Sequence, residues 1–232
     1  IPGVLDGLSE HQDVEYGLAV EGAKPEEKFL LQFSPQKFFT ELKLQEIKLR
    51  RPKFLAVISS TVLAMTLAKR VARPVDGFVV EAPTAGGHNA PPRGKTTFNE
   101  RGEPIYGERD LVDFKVLVEL GLPFWLAGSR GSQQGLKDAL ACGAQGVQVG
   151  TAFALCEESG LFAGYRRSML EQLKRGEVDV YTDALASPTG FPFKVARMAG
   201  TISEQGVYEA RERCCDLGYL RSPYRKEDGS LG

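Results

Sequence analysis

Gly77-Phe78-Val79-Val80-Glu81 decides the fold. It is a short apolar run that ends on a carboxylate. Pro74 stands before it, and Ala82-Pro83-Thr84-Ala85-Gly86-Gly87 follows. The run is too short for a helix, rich in β-branched valine, and shows no polar alternation. Those features describe a strand covered on both faces, as in a parallel sheet. Three more runs of the same kind flank it. Upstream lies Phe54-Leu55-Ala56-Val57-Ile58, bounded by Pro52 and Ser59-Ser60-Thr61. Downstream lie Phe124-Trp125-Leu126-Ala127 and Gly146-Val147-Gln148-Val149.

Helical patterns fill the gaps. Val62 to Val71 places Leu63, Leu67 and Val71 on one stripe, with Ser59 or Ser60 as the N-cap. Leu111 to Leu120 stops at Gly121, and Gln133 to Cys142 stops at Gly143, both natural positions just past a helix. Thr151 to Cys156 and about Leu161 to Arg175 follow the fourth strand. This is β-α four times over, which implies right-handed crossovers and a parallel sheet. An open doubly wound sheet and part of a (β/α)8 barrel both fit. A whole barrel takes about 250 residues. Here roughly 125 residues, Pro52 to Arg175, carry four units, or about half a barrel.

The flanks are less regular. Residues 1–51 read as a polar lead segment: a helix over Ile1 to His11, strands at Val14 to Val20 and Lys28 to Phe33, and a short helix from Pro35 to Phe39. Residues 52–176 hold the four units, and 177–232 read as a C-terminal extension. The chain opens on Ile1-Pro2-Gly3 without a methionine and ends on Asp228-Gly229-Ser230-Leu231-Gly232, a turn-like stretch. The expectation is a piece of a longer protein.

Composition narrows the function classes. The 232 residues are 42% hydrophobic and 25% charged, with 29 Lys+Arg against 30 Asp+Glu. That is ordinary globular composition, with no basic excess to suggest nucleic acid as a partner. No apolar run of about 18 residues suggests a membrane helix, and no signal segment opens the chain. Cys142, Cys156, Cys214 and Cys215 have no zinc-like spacing and are too few for a disulfide scaffold, so no metal and a cytoplasmic location are expected. Glycine is frequent, 26 of 232 residues, which suits tight turns near a ligand.

In both architectures ligands gather at the carboxyl ends of the strands. After the second strand, Gly86-Gly87 lets the backbone turn sharply beside a flat ligand, and His88 follows. It is one of two histidines and is suited to moving protons at neutral pH. A loop histidine bonded to a backbone carbonyl fits equally well. After the third and fourth strands come Gly128-Ser129-Arg130-Gly131-Ser132 and Gly150-Thr151. Each small-residue turn opens a helix and offers backbone N–H groups to an anion, or simply ends a strand. Glu157-Glu158 reads as ordinary acidic residues in a helix first turn.

These residues resemble the nitronate monooxygenase (2-nitropropane dioxygenase) family. Val75 to Glu81 followed by Ala85-Gly86-Gly87-His88 is similar to the family segment that ends in Ala-Gly-Gly-His. Leu126-Ala127-Gly128-Ser129 is similar to its Ala-Ala-Gly-Gly turn, and Ala139 to Phe153 to its Ala-Leu-Ala-Leu-Gly-Ala-Asp-Gly-Val-Gln-Met-Gly-Thr-Arg-Phe stretch. Ser187-Pro188-Thr189-Gly190-Phe191-Pro192 looks like its later Gly-x-Pro turn. The likeness runs from about Pro52 to Val195. The flavin-dependent enoyl-acyl-carrier-protein reductases share these motifs.

The resemblance implies an FMN-binding (β/α)8 barrel whose fifth to eighth strands lie here, the amino-terminal half preceding Ile1. It implies that His88 faces the flavin and takes the substrate's α-proton. It implies that Gly128, Ser129, Gly150 and Thr151 hold the FMN phosphate, and that Glu81, Gly86 and Gly87 lie against the flavin. The implied partners are a small-molecule substrate and the other half of the barrel, and a homo-oligomer is compatible. Departures mark a divergent member. Ser129 replaces a glycine, Thr84 stands where many relatives have Glu, Ala152 replaces Arg, and the loop from Lys95 to Asp110 is long. Three readings therefore compete: an oxidase of nitronates, a flavin reductase of enoyl thioesters, and a non-catalytic binding subunit on a barrel scaffold.

Overall fold

The computed structural model describes residues 1–45, 47–69, 73–187, 189–212 and 222–232. The chain forms two compact units, residues 1–54 with 214–232, and residues 55–213.

In the first unit, α1 (Pro2–Ser9) leads into an antiparallel hairpin of β1 (Val14–Leu18) and β2 (Phe29–Phe33), and α2 (Pro35–Glu41) follows. Residues from the far end of the chain belong to this unit. Glu21 pairs with Tyr224, and Glu27 forms an ion pair with Arg225. The side chains of Asp6 and Arg51 meet at 2.6 Å.

The second unit carries β3 (Leu55–Ile58), α3 (Thr61–Lys69), β4 (Gly77–Glu81), α4 (Phe114–Glu119), β5 (Phe124–Ala127), α5 (Gln133–Ala141), β6 (Gly146–Gln148), α6 (Thr151–Ala154) and α7 (Ala163–Arg175). Strands β3 to β6 form one parallel sheet in that order, with Leu55 opposite Gly77, Phe78 opposite Phe124 and Trp125 opposite Gly146. All four carboxyl ends therefore lie along one margin. The α/β fold with a parallel sheet is as expected.

Alternation along the strands sorts the side chains. Ile58, Phe78 and Phe124 are fully buried, as is Leu117 of α4, and Phe114 stacks on Phe124 at 6.3 Å. Each such side chain is worth about 1.5–3 kcal/mol of transfer free energy as an upper estimate. The other face is less covered. Val79, Ala127 and Ala85 form a small buried cluster with Leu55, but Val57 is 57% exposed.

The helix starts follow from caps. The buried Ser60 accepts from the Leu63 N–H at 3.2 Å and fixes the start of α3. The expected end of that helix at Val71 lies outside the described residues. α4 begins at Phe114 rather than Leu111, because Asp113 caps it by accepting from the Lys115 N–H at 2.9 Å. Leu111 instead follows a short 3-10 turn, Glu108–Asp110. Gly121 and Gly143 both take positive φ past their helices, as expected.

Three elements lie beyond the expected pattern: an antiparallel hairpin of β7 (Val180–Asp183) and β8 (Phe193–Ala196), then α8 (Gln205–Ala210). The hairpin's strands are broken by polar Thr182, Asp183 and Lys194, without a continuous apolar run. They place residues 177–212 in the second unit, while 222–232 join the first. Residues 177–232 are therefore divided between the two units. Cys214 and Cys215 lie outside the described residues. Among the described residues, no helix is long and apolar enough to cross a membrane.

Candidate functional site

The loops after β4, β5 and β6 are stitched together by close backbone approach. Gly128 has φ +99°, and a Cβ there would lie 2.8 Å from Thr84 Oγ1, 2.9 Å from the Ala85 nitrogen and 3.1 Å from Ala82 Cβ. Only glycine lets the β5 loop lie this tightly on the β4 loop. A Cβ on Gly131 would meet Val149 at 3.2 Å, which ties the β5 loop to the β6 loop. Asn89 extends the stitching, since its Nδ2 donates to the Ala85 carbonyl at 3.1 Å.

This corner exposes main-chain donors. The N–H groups of Gly128, Ser129, Gly150 and Thr151 have no hydrogen-bond acceptor among the described residues. Gly150 is the residue before α6, and no atom lies within 4 Å of the place its Cβ would take. Ser129 adopts φ +52°, a conformation that favours glycine, so the serine stands where the backbone prefers no side chain. Ser132 is occupied separately, capping α5 by accepting from the Gly135 N–H at 3.0 Å.

His88 sits on a strip that pairs with the β7/β8 hairpin. The Asn89 N–H donates to the Pro192 carbonyl at 2.8 Å, and the Lys194 N–H donates to the Gly87 carbonyl at 2.9 Å. The His88 ring meets Phe193 edge-on at 4.8 Å, and its Nε2 lies 2.6 Å from Ser187 Oγ. Ser187 is buried. Its Oγ also accepts from the Thr189 N–H at 3.2 Å and lies 2.7 Å from Thr189 Oγ1. Two proton arrangements satisfy these atoms: Nε2–H donates to Ser187, which donates to Thr189, or Thr189 donates to Ser187, which donates to Nε2. The first leaves the Nδ1 lone pair as the ring's acceptor. His88 itself is exposed, and Gly86 and Gly87 have open space around them. Ser187 is separated from His88 by 99 positions, so no local pattern links them. Position 188 of its turn lies outside the described residues.

Glu81 ends β4 half-buried, and desolvation raises its carboxyl above the usual range. With Ser59, Asn89, Tyr106 and Asp110 it lines a recess of about 10 Å³, room for about one water. Asn89 is 2% exposed, and its Oδ1 has no partner among the described residues. A water in the recess is the species that would satisfy it. Glu157 and Glu158 lie in an exposed turn between α6 and α7 rather than in a helix first turn. Arg166 closes that turn by donating to the Cys156 and Glu157 carbonyls at 3.2 and 3.0 Å.

Residues 39–182 match the family model described as Nitronate monooxygenase. A nitronate monooxygenase of Pseudomonas aeruginosa is 40% identical over 96 residues, 40% of this chain and 25% of that one. A probable nitronate monooxygenase of Bacillus subtilis is 35% identical over 99 residues, 43% and 27% of the two chains. A nitronate monooxygenase of Paraburkholderia phytofirmans is 34% identical over 122 residues, 51% and 31%. The chain thus spans about a quarter to a third of the length of these relatives. A solved FabK chain from Thermotoga maritima is 24% identical, with TM-score 0.42, over 70% of this chain and 43% of that one.

Proposed function

The chain belongs to the nitronate monooxygenase family, and from that premise we propose that the protein carrying it oxidises nitronates or nitroalkanes with FMN. The resemblance names FMN, and the corner at the strand ends suits its phosphate. Four main-chain N–H groups without acceptors, at Gly128, Ser129, Gly150 and Thr151, are donors awaiting an anion. Space beside Gly150, Gly86 and Gly87 leaves room for a group to approach. Bound there, FMN would supply the redox chemistry between substrate and oxygen.

The chain's own part is to place and move a proton. His88 is the base, and the atom that takes the substrate's α-proton is Nδ1. In the arrangement where Nε2–H donates to Ser187, the Nδ1 lone pair is the one left to accept a proton. When Nδ1 gains the proton, the bond to Ser187 becomes charge-assisted and strengthens. Phe193 sets the tilt of the ring.

We read the sheet as the second half of a (β/α)8 barrel. Strands β3 and β6 each have one neighbour among the described strands, and the exposed Val57 lies on the less covered face. Further β/α units pairing at those edges would cover both.

The observation that carries the functional reading is the 2.6 Å contact between His88 Nε2 and the buried Ser187, on the same loop that Gly128 ties to the donor corner. His88→Asn tests it in the flavin-loaded protein. Turnover of a neutral nitroalkane should fall 10²–10⁴-fold, with flavin content retained. A pre-ionised nitronate needs no proton abstraction and should lose less. Equal losses on both substrates with flavin lost would make His88 structural. Consumption of NAD(P)H with an enoyl thioester, in place of oxygen-linked turnover, would move the protein to the reductases. A protein that purifies without flavin and binds none would be a non-catalytic relative.

A further inference from the structure

The long loop between Lys95 and Asp110 has a built structure. Residues 97–105 form a finger: Phe98 bridges Pro104, the Ile105 N–H donates to the Thr97 carbonyl at 2.9 Å, and the Asn99 N–H donates to the Glu103 carbonyl at 3.0 Å. Asn99 Oδ1 closes the tip by accepting from the Arg101 and Glu103 N–H groups, each at 2.9 Å. Pro104 anchors the finger by burial.

The tip grips β7. Glu103 Oε1 accepts from the Thr182 N–H at 2.9 Å, on the edge of β7 that β8 does not use. Arg101 Nη2 lies 2.7 Å from Asp179 Oδ1, and its guanidinium covers the Tyr181 ring. The next strand passes the grip onward. Lys194 of β8 donates from Nζ to Thr182 Oγ1 and from its backbone N–H to the Gly87 carbonyl. The hairpin connection carries Ser187, the partner of His88. An unbroken series of hydrogen bonds therefore runs from Glu103 through Thr182 and Lys194 to the loop that holds His88.

We propose that Glu103 is a positioning residue: it clamps the free edge of β7 and, through the β7/β8 hairpin, fixes the Gly87–Asn89 strip and its histidine. The clamp is charged. The Thr182 N–H bond, above all, holds the Glu103 carboxyl below the usual carboxylate range, and Asn99, Arg101 and Lys194 act in the same direction. Asp179 faces the clamp too, neutralised by Arg101 and by Arg197 at 3.6 Å. A mutation at Glu103 touches no proposed flavin or substrate contact. The consequence for turnover rests on the reading of His88 as the base; the mechanical coupling does not.

The test compares Glu103→Ala, which leaves Thr182 without its acceptor, with Glu103→Gln, which keeps an oxygen there. Amide hydrogen exchange is followed at Asn89 and Lys194, with Val80 of the central sheet as reference. In Glu103→Ala the Asn89 and Lys194 amides should exchange at least tenfold faster while Val80 is unchanged. Glu103→Gln should restore most of the protection. For a neutral nitroalkane, kcat should fall about tenfold in the alanine variant with little change in KM. Unchanged exchange at Asn89 and Lys194 overturns the proposal, and so does acceleration that includes Val80. The exchange measurement uses no substrate. Failure of His88→Asn to impair turnover would therefore remove the base assignment and leave the clamp to be judged by exchange alone.

Discussion

Replacing Gly128 by alanine tests the packing on which the donor corner depends. At φ +99° an L-residue pays a conformational cost of about 1–2 kcal/mol. The new Cβ would also sit 2.8 Å from Thr84 Oγ1 and 2.9 Å from the Ala85 nitrogen. The first neighbour is a short side chain and the second is backbone, so neither gives way freely. Overpacking of this kind costs about 1–3 kcal/mol. The sum, about 2–5 kcal/mol, corresponds to a melting point lowered by roughly 4–20 °C for a unit of this size. Trp125, the chain's single tryptophan, lies on β5 three residues before Gly128, so its fluorescence reports unfolding of the second unit. Gly150→Ala is the matched control. There φ is −111° and nothing lies within 4 Å, so stability should stay within about 0.5 kcal/mol. The reasoning is refuted if Gly128→Ala unfolds at the wild-type temperature, or if the two variants are destabilised alike.

Two further outcomes follow from the same geometry. Gly150→Asp puts a carboxylate where the proposed phosphate would lie; like charges about 4 Å apart cost about 4 kcal/mol at an effective dielectric near 20, close to a thousandfold in affinity. The variant should purify folded but without flavin, as stable as flavin-free wild type, and full flavin content would exclude this turn from the phosphate site. The second outcome concerns pH. The Glu103 carboxyl is held below its ordinary value by the Thr182 N–H, so its contribution is complete above the unfolded value, about 4.3, and is lost as pH falls through the lower folded value. Exchange protection at Asn89 and Lys194, corrected for intrinsic rates, should fall in that acid window in the wild type to the level of Glu103→Gln, which should itself show no drop there. An identical drop in both proteins would assign the pH dependence to another group.

How much of this was legible in the sequence depends on the range over which each feature is specified. Gly77 to Glu81 and Phe124 to Ala127 are read to the residue, because a buried parallel strand writes its burial into consecutive apolar positions. The caps at Ser60 and the stops at Gly121 and Gly143 are equally local. The strand-end loops could be chosen from the order of elements alone, since parallel strands put their carboxyl ends on one margin. The fine start of α4 was missed because Asp113 outcompetes the apolar pattern from Leu111.

The surroundings of His88 are written nowhere near His88. Its hydrogen-bond partner is 99 residues away, and the hairpin that carries that partner has four-residue strands broken by polar Thr182, Asp183 and Lys194, without the continuous apolar run that marks Phe124–Ala127. The same limit hides Glu103. Its neighbours in sequence make a polar turn, and only the approach of β7 gives its carboxylate an N–H to hold. Local sequence therefore sets the backbone corner with its acceptor-free donors. The orientation of the one side chain proposed to move a proton is set by pairings that exist only once the chain has folded. Mutations in the corner should act on flavin retention and stability, and mutations in the hairpin and finger on turnover with the flavin still bound.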